Sequence, residues 1–324
     1  MSRGCKAIQF PQSSHVFIIP GSQGKDKAPS MRFDPERVLI FCENFDPSQI
    51  SYFDFELDEI IRTHVMDKRV IKGFCNISGA RTEFAITSDN LRENVVSKDS
   101  NSINRHRQLV CGLSVALFDN PHASLSAIAQ HINEHRLKTY LADANSVLFQ
   151  FFKQNLNPEL FVYSEYFGPQ YQSGAVINGI RHEDLQRTSF ADETFDLIIT
   201  LEVFEHIPDA LIAEKEVIRV LKKKGIYCFT VPFIPYHEHD QVRAELDENG
   251  NLKHLLEPAY HGDPLRPEEG ILVFRVFSFN DLKRRFEDLG SQFKTYRFWS
   301  KSLGILGSDC WVHVVSKPRS QVDS

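Results

Sequence analysis

An unbroken apolar run, FDLIITLEVF at residues 195–204, constrains the fold more than any other feature. A strand with one face in solvent alternates apolar and polar side chains, whereas a run without alternation is typical of a parallel strand covered on both faces. From about residue 122 onward, helical and strand-like segments alternate on both sides of this run. Because parallel strands need crossover connections, the alternation predicts βαβ units and an α/β fold with a doubly wound, mostly parallel sheet.

The neighbouring segments can be assigned from their patterns. Helices are predicted at residues 124–136, 146–157 and 209–225, and strands at residues 138–144, 160–167 and 226–233. Residues 175–185 are predicted to be a strand that runs into a loop. Pro208 and Asp209 are expected to start the helix at 209–225, and Gly225 is expected to end it. The run of three lysines at residues 222–224 is expected to be a solvated cap, since cations are favourable at a helix C-terminus.

The first 120 residues differ in composition from the rest. Residues 1–35 are rich in Gly, Ser, Pro and Lys and are predicted to be a flexible lead-in around a short strand at 15–19. Residues 36–120 are predicted to form a small α+β region, and residues 121–318 the α/β domain, with an insertion at 234–270. The small region contains a predicted strand at 37–41, helical spacing at 51–65, short strands from 68 onward and a helix at 104–118.

Composition and charge exclude several classes of function. The net charge is −6, which argues against a general nucleic-acid binder because duplex affinity needs many neutralised phosphates. No apolar stretch is long enough to cross a bilayer, and the run at residues 16–19 is too short for a secretory signal. The six cysteines occur singly, which is typical of reduced thiols. We therefore predict a cytoplasmic protein with no nucleic-acid or membrane partner.

Two short motifs between residues 68 and 110 have the spacing of metal-binding turns. They are C-N-I-S at residues 75–78 and S-K-D-S at residues 97–100, and only Cys75 offers a thiolate. A zinc ribbon grips its metal with two Cys-x-x-Cys turns, and a serine hydroxyl is a poor zinc ligand. The segment therefore resembles a degenerate zinc ribbon without metal. The alternative is an unrelated small β-hairpin with polar turns, and both interpretations predict no zinc.

The most specific stretch is residues 182–233. In order, it contains D-L-Q before S-F, an acidic turn, F-D-L-I-I, the motif E-x-x-E-H-I, a helix with the core K-E-x-x-R-V-L, and K-x-G before another apolar strand. This ordered set resembles the central block of class I S-adenosylmethionine-dependent methyltransferases of the type 11 kind. Over residues 137–317 the resemblance implies a Rossmann-like sheet, a helix at 277–290, and final strands at 292–299 and 310–318, the last one antiparallel.

The resemblance also implies where the cofactor, S-adenosylmethionine, binds. It would lie across the carboxyl edge of the sheet, where open α/β sheets bind their ligands. An acid about 20 residues after the first turn contacts the ribose, and Glu165 has that position, while Asp184 would accept from the adenine amino group. The predicted cofactor-binding residues are Ala142, Asp143, Ala144, Glu165, Asp184, Leu185, Leu201 and Glu202.

The first turn departs from the family pattern. Residues 142–146 are A-D-A-N-S, without the glycine that lets a backbone approach a cofactor closely. Two interpretations stay open at this point. Small side chains, and an asparagine that tolerates positive φ, could still admit the cofactor, with Asp143 facing its amino group. Alternatively, the pocket is partly closed and methyl transfer has been lost.

The insertion at residues 234–270 is expected to lie over the active edge and to recognise the substrate. His206, Tyr236 and His237 are the candidate catalytic residues, which would orient the acceptor or remove its proton. For His206 the alternative is a packing residue that caps the next helix. A hairpin that turns at Asn249 and Gly250 is predicted within the insertion.

The insertion is also rich in histidine. His237 and His239 share one face of an extended segment and could bind a metal together with His254 or His261. The other interpretation is a polar substrate lid without a metal, since single histidines are common in loops. We adopt the lid and expect no bound metal.

The predicted function is S-adenosylmethionine-dependent methyl transfer to a small-molecule, sugar or peptide acceptor. No Gly-x-Ser-x-Gly elbow, phosphate-binding loop or His-Glu-x-x-His motif occurs, so hydrolase, nucleotidase and zinc-protease functions lack support. The alternative is a catalytically inactive methyltransferase-like protein that binds a partner or ligand through the same cleft. Its motivation is the glycine-free turn together with the altered ribbon.

Overall fold

The computed structural model describes residues 69–262, 268, 270–307 and 309–318, together with the strands His15–Pro20 and Val38–Glu43. The chain divides into two compact units. Unit 1 comprises residues 1–134 and 295–312, and unit 2 comprises residues 135–294 and 313–324. The boundaries expected from the sequence, 1–35, 36–120 and 121–318, stay predictions. The helical spacing at residues 51–65 lies outside the described residues.

The regular elements are numbered in chain order. The α-helices of the described residues are α1 (Asn104–Phe118), α2 (Leu125–Glu134), α3 (Val147–Asn155), α4 (Ala210–Val220) and α5 (Phe279–Asp288). The strands are β1 (His15–Pro20), β2 (Val38–Glu43), β3 (Val70–Cys75), β4 (Ala80–Ala85), β5 (Val96–Ser97), β6 (Thr139–Leu141), β7 (Phe161–Tyr163), β8 (Val176–Ile177), β9 (Ile180–Arg181), β10 (Phe195–Leu201), β11 (Leu221–Thr230), β12 (Phe233–Ile234), β13 (Gln241–Val242), β14 (Ala244–Leu246), β15 (Leu252–His254), β16 (Tyr260–His261), β17 (Ile271–Leu272), β18 (Arg275–Ser278), β19 (Gln292–Trp299) and β20 (Trp311–Ser316). Short 3₁₀ turns occur at Leu91–Glu93, Phe204–His206 and Lys301–Leu303.

The main sheet of unit 2 has the strand order β20-β11-β10-β6-β7. Strands β7, β6, β10 and β11 are parallel, and β20 is antiparallel to β11. In β10 the side chains of Leu197, Ile198 and Ile199 are all fully buried, so the strand is covered on both faces. The prediction of an α/β fold with a mostly parallel sheet and an antiparallel last strand is therefore confirmed.

Helix α4 forms the crossover from β10 to β11. The side chain of Asp209 caps it by accepting from the Ile212 amide at 3.1 Å, and the buried side chains of Ala213 and Val217 lie on one face. The helix ends at Val220, five residues before Gly225, so the prediction that Gly225 ends it is wrong. Leu221 is already extended and pairs with Phe195 of β10.

The three lysines at 222–224 therefore lie in a strand and do not cap a helix. Between the pairs Phe195–Leu221 and Leu197–Ile226 the register shifts, so residues 222–225 bulge out opposite one residue of β10. The ammonium of Lys222 binds the carboxylate of Asp196 at 2.7 Å, while the next two lysines are exposed. The bulge gives this charged run access to solvent within an otherwise buried strand.

Residues 175–185 form a hairpin instead of the predicted single strand. Strand β8 pairs antiparallel with β9 across a turn in which Asn178 and Gly179 both have positive φ, 50° and 80°. Two positive φ angles are the requirement of a type I′ turn, and Asn-Gly is its favoured sequence. One parallel bridge, between Glu165 and His182, follows the hairpin. The segment before Asp184 is thus a small separate ribbon, not a strand of the main sheet.

The insertion at 234–270 contains further short strands. Strands β14 and β15 form the hairpin predicted around Asn249 and Gly250, and Gly250 has the positive φ of 80° that the turn needs. The carboxylate of Asp247 closes the turn by accepting from the amides of Asn249 and Asn251, both at 2.8 Å. A second pair, β16 with β17, brings Tyr260 opposite Leu272 and His261 opposite Ile271.

Unit 1 contains the antiparallel sheet β3-β4-β5 and the helix α1, which begins where it was predicted. Strand β1 pairs parallel with β2, and β2 pairs antiparallel with residues 296–299 of β19. Arg107 of α1 is fully buried and donates to the backbone carbonyls of Val95, Ser102, Leu303 and Gly304. It therefore joins the two separate chain segments of this unit. Among the described residues, no helix is long and apolar enough to cross a membrane.

Candidate cofactor and acceptor site

The parallel strands of unit 2 end at the same edge of the sheet. Because β6, β7, β10 and β11 run in one direction, the residues that follow Leu141, Tyr163, Leu201 and Thr230 gather there. Most of the predicted cofactor-binding residues follow these strand ends. One contact measures their proximity: the side-chain amide of Asn145 donates to the carboxylate of Glu165 at 3.4 Å.

The turn after β6 is held by the side chain of Asp143. Its Oδ1 accepts from the amides of Asn145 at 2.7 Å and Ser146 at 3.0 Å, and the Ser146 hydroxyl then caps α3 by accepting from Phe149. None of residues 142–146, all of them described, has a positive φ. The backbone of this turn therefore does not require the glycine of the family pattern, because a side chain closes it.

Asp143 also has an atom without a hydrogen bond. Its Oδ2 is buried and accepts no hydrogen bond from the described residues. A buried acceptor that is left without a donor costs free energy, so such an atom usually faces a ligand or water. In one of the two interpretations of this turn, Asp143 faces the amino group of the cofactor, and that role stays a prediction.

Glu165 lies just beyond the end of β7. Its Oε1 accepts from the amide of Tyr166 at 3.0 Å, and its Oε2 accepts from Asn145. Asp184 and Leu185 lie in the loop after the β8–β9 hairpin, where the Asp184 carboxylate accepts from the amide of Gln186 at 2.9 Å. Leu185 is buried at 6% exposure and offers an apolar surface.

Leu201 ends β10, and Glu202 follows it in a left-handed conformation. The φ of Glu202 is +55°, which is uncommon for a side chain other than glycine, asparagine or aspartate. Its amide donates to the carbonyl of Thr230 at 3.1 Å, which holds the end of β10 against the end of β11. Strained backbone of this kind is found preferentially at functional sites.

His182 belongs to this edge and was not predicted from the sequence. It is fully buried, and its Nδ1 accepts from the amide of Phe167 at 3.0 Å, so the proton of the neutral ring is on Nε2. That nitrogen is buried without a hydrogen bond in the described part of the chain. The bridge to Glu165 places it beside the predicted ribose-binding acid. Its position after a hairpin turn gave no periodic signal that could have identified it.

The candidate catalytic residues lie in different environments. His206, in the turn after β10, is nearly buried, and its Nδ1 lies 2.8 Å from the carbonyl of Leu272. Tyr236 and His237 are exposed, with their rings 5.6 Å apart at the start of the insertion. The imidazole of His239 lies instead 3.4 Å from the carboxylate of Asp281. Their roles in catalysis stay predictions.

The histidines of the insertion lie at different places in the structure. His254 is exposed on β15, while His261 lies beside Glu205 and His206. Nδ1 of His261 is 3.5 Å, and Nε2 of His206 is 3.6 Å, from Oε1 of Glu205. This grouping was not among the combinations considered from the sequence, which paired His261 with His237 and His239.

Helix α5 is joined to α4 by a buried ion network. Nε of Arg285 contacts both carboxylate oxygens of Glu214, at 3.0 and 2.8 Å, and Nη1 contacts Asp240 at 2.7 Å. Asp240 also binds Arg275 at 3.1 Å and the amide of Ser278 at 2.8 Å. These contacts connect the base of the insertion to two helices of unit 2, so they fix the insertion next to the sheet edge.

The ribbon-like motifs of unit 1 are brought together by hydrogen bonds. Sγ of Cys75 lies 3.3 Å from the Ser100 hydroxyl, and the Asp99 carboxylate accepts from both Ser78 and Ser97. Burial acts to raise the pKa of Asp99, but the two hydroxyl donors outweigh it and hold the pKa below its usual range. The motif positions are thus connected in two pairs, Ser78 with Ser97 through the Asp99 carboxylate and Cys75 with Ser100 directly. The origin of the segment as a zinc ribbon stays a prediction.

The strand order, the antiparallel last strand and the acidic groups at the carboxyl edge define an α/β fold of the class I methyltransferase kind. Residues 126–229 match the model of a family described as a methyltransferase domain, type 11. This match runs from α2 to β11 and confirms the resemblance that residues 182–233 carry. The segment is a methyltransferase domain, and S-adenosylmethionine is the cofactor of this class.

The solved structures that match include methyltransferases and a protein named as a [4+2]-cyclase. A methyltransferase from Mesorhizobium loti has 11% identity, with 56% of this chain and 90% of that chain covered and a TM-score of 0.36. The YcgJ protein from Bacillus subtilis has 12% identity, with 60% and 89% covered and a TM-score of 0.32. Similarity at this level gives no information about activity. No curated protein matches the chain.

Proposed function

We propose that the protein transfers a methyl group from S-adenosylmethionine to a small-molecule, sugar or peptide acceptor, and that the glycine-free turn still binds the cofactor. The observation that carries the proposal is the buried Oδ2 of Asp143, which has no hydrogen bond among the described residues and lies in the turn after the first strand. A second carboxylate, that of Glu165, is connected to Asp143 by two hydrogen bonds through Asn145. The two carboxylates match two polar groups of the cofactor, the ammonium of its methionine part and the hydroxyls of its ribose.

The residues at the edge would divide the recognition between them. Asp143 would accept from the ammonium of the methionine part, and Glu165 would accept from the ribose hydroxyls, since an ionised carboxylate has only acceptors. Asp184 would accept from the adenine amino group, with the buried Leu185 against the ring. Leu201 and Glu202, at the end of β10, would line the centre of the cleft. The Nε2 proton of His182 supplies one more donor at this edge.

The cofactor supplies an electrophilic methyl group on a sulfonium. The tasks of the protein are to orient the acceptor in line with that group and to remove a proton from a hydroxyl or amine acceptor. His206 lies at the carboxyl end of β10, and Tyr236 and His237 follow β12. The exposed aromatic and imidazole groups of the insertion favour a polar acceptor that is partly open to solvent, as a small molecule, a sugar or a peptide would be.

Thermal unfolding with and without S-adenosylhomocysteine, the reaction product, tests this site. A ligand that binds the folded state raises its stability by about 2.7 kcal/mol at 100 times Kd, and Tm rises accordingly. We expect a clear rise in Tm for the wild type and a much smaller one for Glu165→Ala and Asp143→Asn. Glu159→Ala is the matched control, because Glu159 is an exposed acid just before β7. Equal shifts in all four proteins, or none in the wild type, would refute the proposal.

A further inference from the structure

We propose that Glu205, His206 and His261 bind a divalent transition-metal ion, with zinc as the best match. One ligand atom from each side chain lies within 4.8 Å of the other two. All three residues belong to unit 2, and metal binding can be measured whether or not the protein transfers methyl groups. An ion on Nε2 of His206 would exclude that ring as the base that takes a proton from the acceptor. The class of ligand follows from the donors, because two imidazoles and one carboxylate suit zinc and its neighbours in the first transition series better than magnesium or calcium.

Glu205 is the strongest reason to infer a ligand. Its side chain is fully buried, and neither carboxylate oxygen accepts a hydrogen bond in the described part of the chain. Burying an ionised carboxylate without a partner is costly, so such groups are paired or coordinate a metal. The two imidazole nitrogens lie 3.5 and 3.6 Å from Oε1 of Glu205, and neither donates a hydrogen bond to it.

His206 is held in the orientation and tautomer that a metal ligand needs. A backbone carbonyl can only accept, so the contact of Nδ1 with the Leu272 carbonyl at 2.8 Å puts the ring proton on Nδ1. Nε2 then carries the lone pair, and it is this nitrogen that faces Glu205. A hydrogen bond from the far nitrogen to a carbonyl is the usual support of a metal-binding histidine.

The same short sheet supplies the second histidine. Leu272, which orients His206, lies on β17, and β17 pairs with β16, which carries His261. The amide of Phe274 donates to the carbonyl of Glu205 at 2.7 Å, so the segment after β17 is also fixed to the turn at Phe204–His206. Backbone pairing therefore sets all three ligands relative to one another before any ion binds.

The spacing of the donors is compatible with a metal site. A protonated imidazole beside a carboxylate closes to about 2.8 Å. Tetrahedral zinc with bonds of about 2.0–2.1 Å holds its ligands about 3.3 Å apart, and both separations from Oε1 of Glu205 are close to that value. All three donor atoms lie within 4.8 Å of one another.

Three protein ligands leave one tetrahedral position for water or another ligand oxygen. Catalytic zinc sites keep such an open position, whereas structural sites close it with a fourth protein ligand. The half-exposed His261 makes the site reachable from solvent.

Titration of the tag-free, chelator-treated full chain with cobalt(II), followed by its visible absorption, tests the site. We expect one equivalent of cobalt with the strong bands of tetrahedral coordination, displaced by zinc and not by equimolar magnesium. Glu205→Gln and His261→Ala should each weaken binding by about 100-fold or more. His254→Ala is the matched control and should bind as the wild type does, because His254 is an exposed histidine of the same insertion.

Two results would overturn the proposal. One is a wild type that binds no cobalt or zinc at micromolar concentration. The other is binding that survives in both Glu205→Gln and His261→Ala, which would place the ion elsewhere. Circular dichroism of each variant checks that it is folded. His261→Ala keeps the test decisive if the buried Glu205 variant does not fold, since His261 lies at the surface.

Discussion

The side-chain amide of Asn145 donates to the carboxylate of Glu165 across 3.4 Å, and this bond joins the ends of two neighbouring parallel strands. Asn145 belongs to the turn after β6, and Glu165 follows β7. The turn itself is closed by Asp143 and contains no residue with positive φ. Side-chain hydrogen bonds therefore stabilise the turn in place of the glycine conformation. This supports a turn that keeps its structure without glycine, and not one that has lost its cofactor-binding shape.

Introducing a glycine into this turn should destabilise the protein. Ala144 has a negative φ and is 4% exposed, so Ala144→Gly adds freedom to the unfolded chain and removes a buried methyl group. We expect the free energy of unfolding to fall by about 1 kcal/mol, measured by urea denaturation. A gain in stability would mean that the turn is strained and would contradict the stabilisation by side-chain hydrogen bonds described above.

Stability should depend on pH through His106. Burial, together with Arg105 and Arg107, lowers the pKa of His106 to about 3, and its Nδ1 accepts from the amide of Ile103. Between pH 6.5 and 3 the unfolded state therefore binds more protons than the folded state. The free energy of unfolding is therefore not reduced by His106 above pH 6.5. Below that pH it decreases by up to about 1.4 kcal/mol per pH unit, because the unfolded state takes up the proton.

His106→Gln isolates this contribution, since glutamine keeps an acceptor and does not titrate. Urea denaturation at pH 7 and pH 5 should show a loss of stability that is about 2 kcal/mol greater in the wild type than in the variant. Equal losses in both proteins would show that His106 is not the group responsible.

Arg107 should be among the most sensitive positions of unit 1. It donates to four backbone carbonyls that its removal would leave buried without donors. We expect Arg107→Met to reduce the free energy of unfolding by about 3–5 kcal/mol. Arg107→Lys should recover little of this, because an ammonium cannot reproduce the fork of donors. A lysine variant as stable as the wild type would disprove the need for that fork.

The two ribbon-like turns, residues 75–78 and 97–100, allow a separate prediction about zinc binding. If the segment derives from a zinc ribbon, the triple variant Ser78→Cys, Ser97→Cys and Ser100→Cys should bind one zinc ion with Cys75, because hydrogen bonds already connect one position of each turn with one of the other: Cys75 with Ser100, and Ser78 with Ser97 through Asp99. The matched control adds Cys75→Ser to the triple variant and should lose the metal. Failure of the triple variant to bind zinc, measured by metal analysis after dialysis, would favour the unrelated hairpin.

Local patterns were sufficient to predict much of the fold. The apolar run of β10 is buried on both faces, and the predicted strand at 292–299 coincides with β19. These features follow from the spacing of apolar residues along the chain, which can be seen within a single segment. The end of α4 could not be predicted from such a local pattern. Leu221 pairs with Phe195 of β10 and is extended, although the lysines that follow it have a high helix propensity.

Two other features needed information that the prediction did not use. The Asn-Gly pair at 178–179 is a strong signal for a type I′ turn, and it identifies the β8–β9 hairpin that was assigned as one strand. The approach of His261 to Glu205 depends on how the insertion folds back onto the end of β10. No periodic pattern encodes a contact between residues so far apart in the chain.

Calorimetric titration of S-adenosylmethionine into the full chain tests the central claim, that the turn at residues 142–146 still binds the cofactor. We predict binding of one cofactor per chain with a micromolar Kd, which is abolished or strongly weakened in Glu165→Ala and in Asp184→Ala. Absence of binding at millimolar cofactor would contradict the account and would leave a methyltransferase fold without its cofactor.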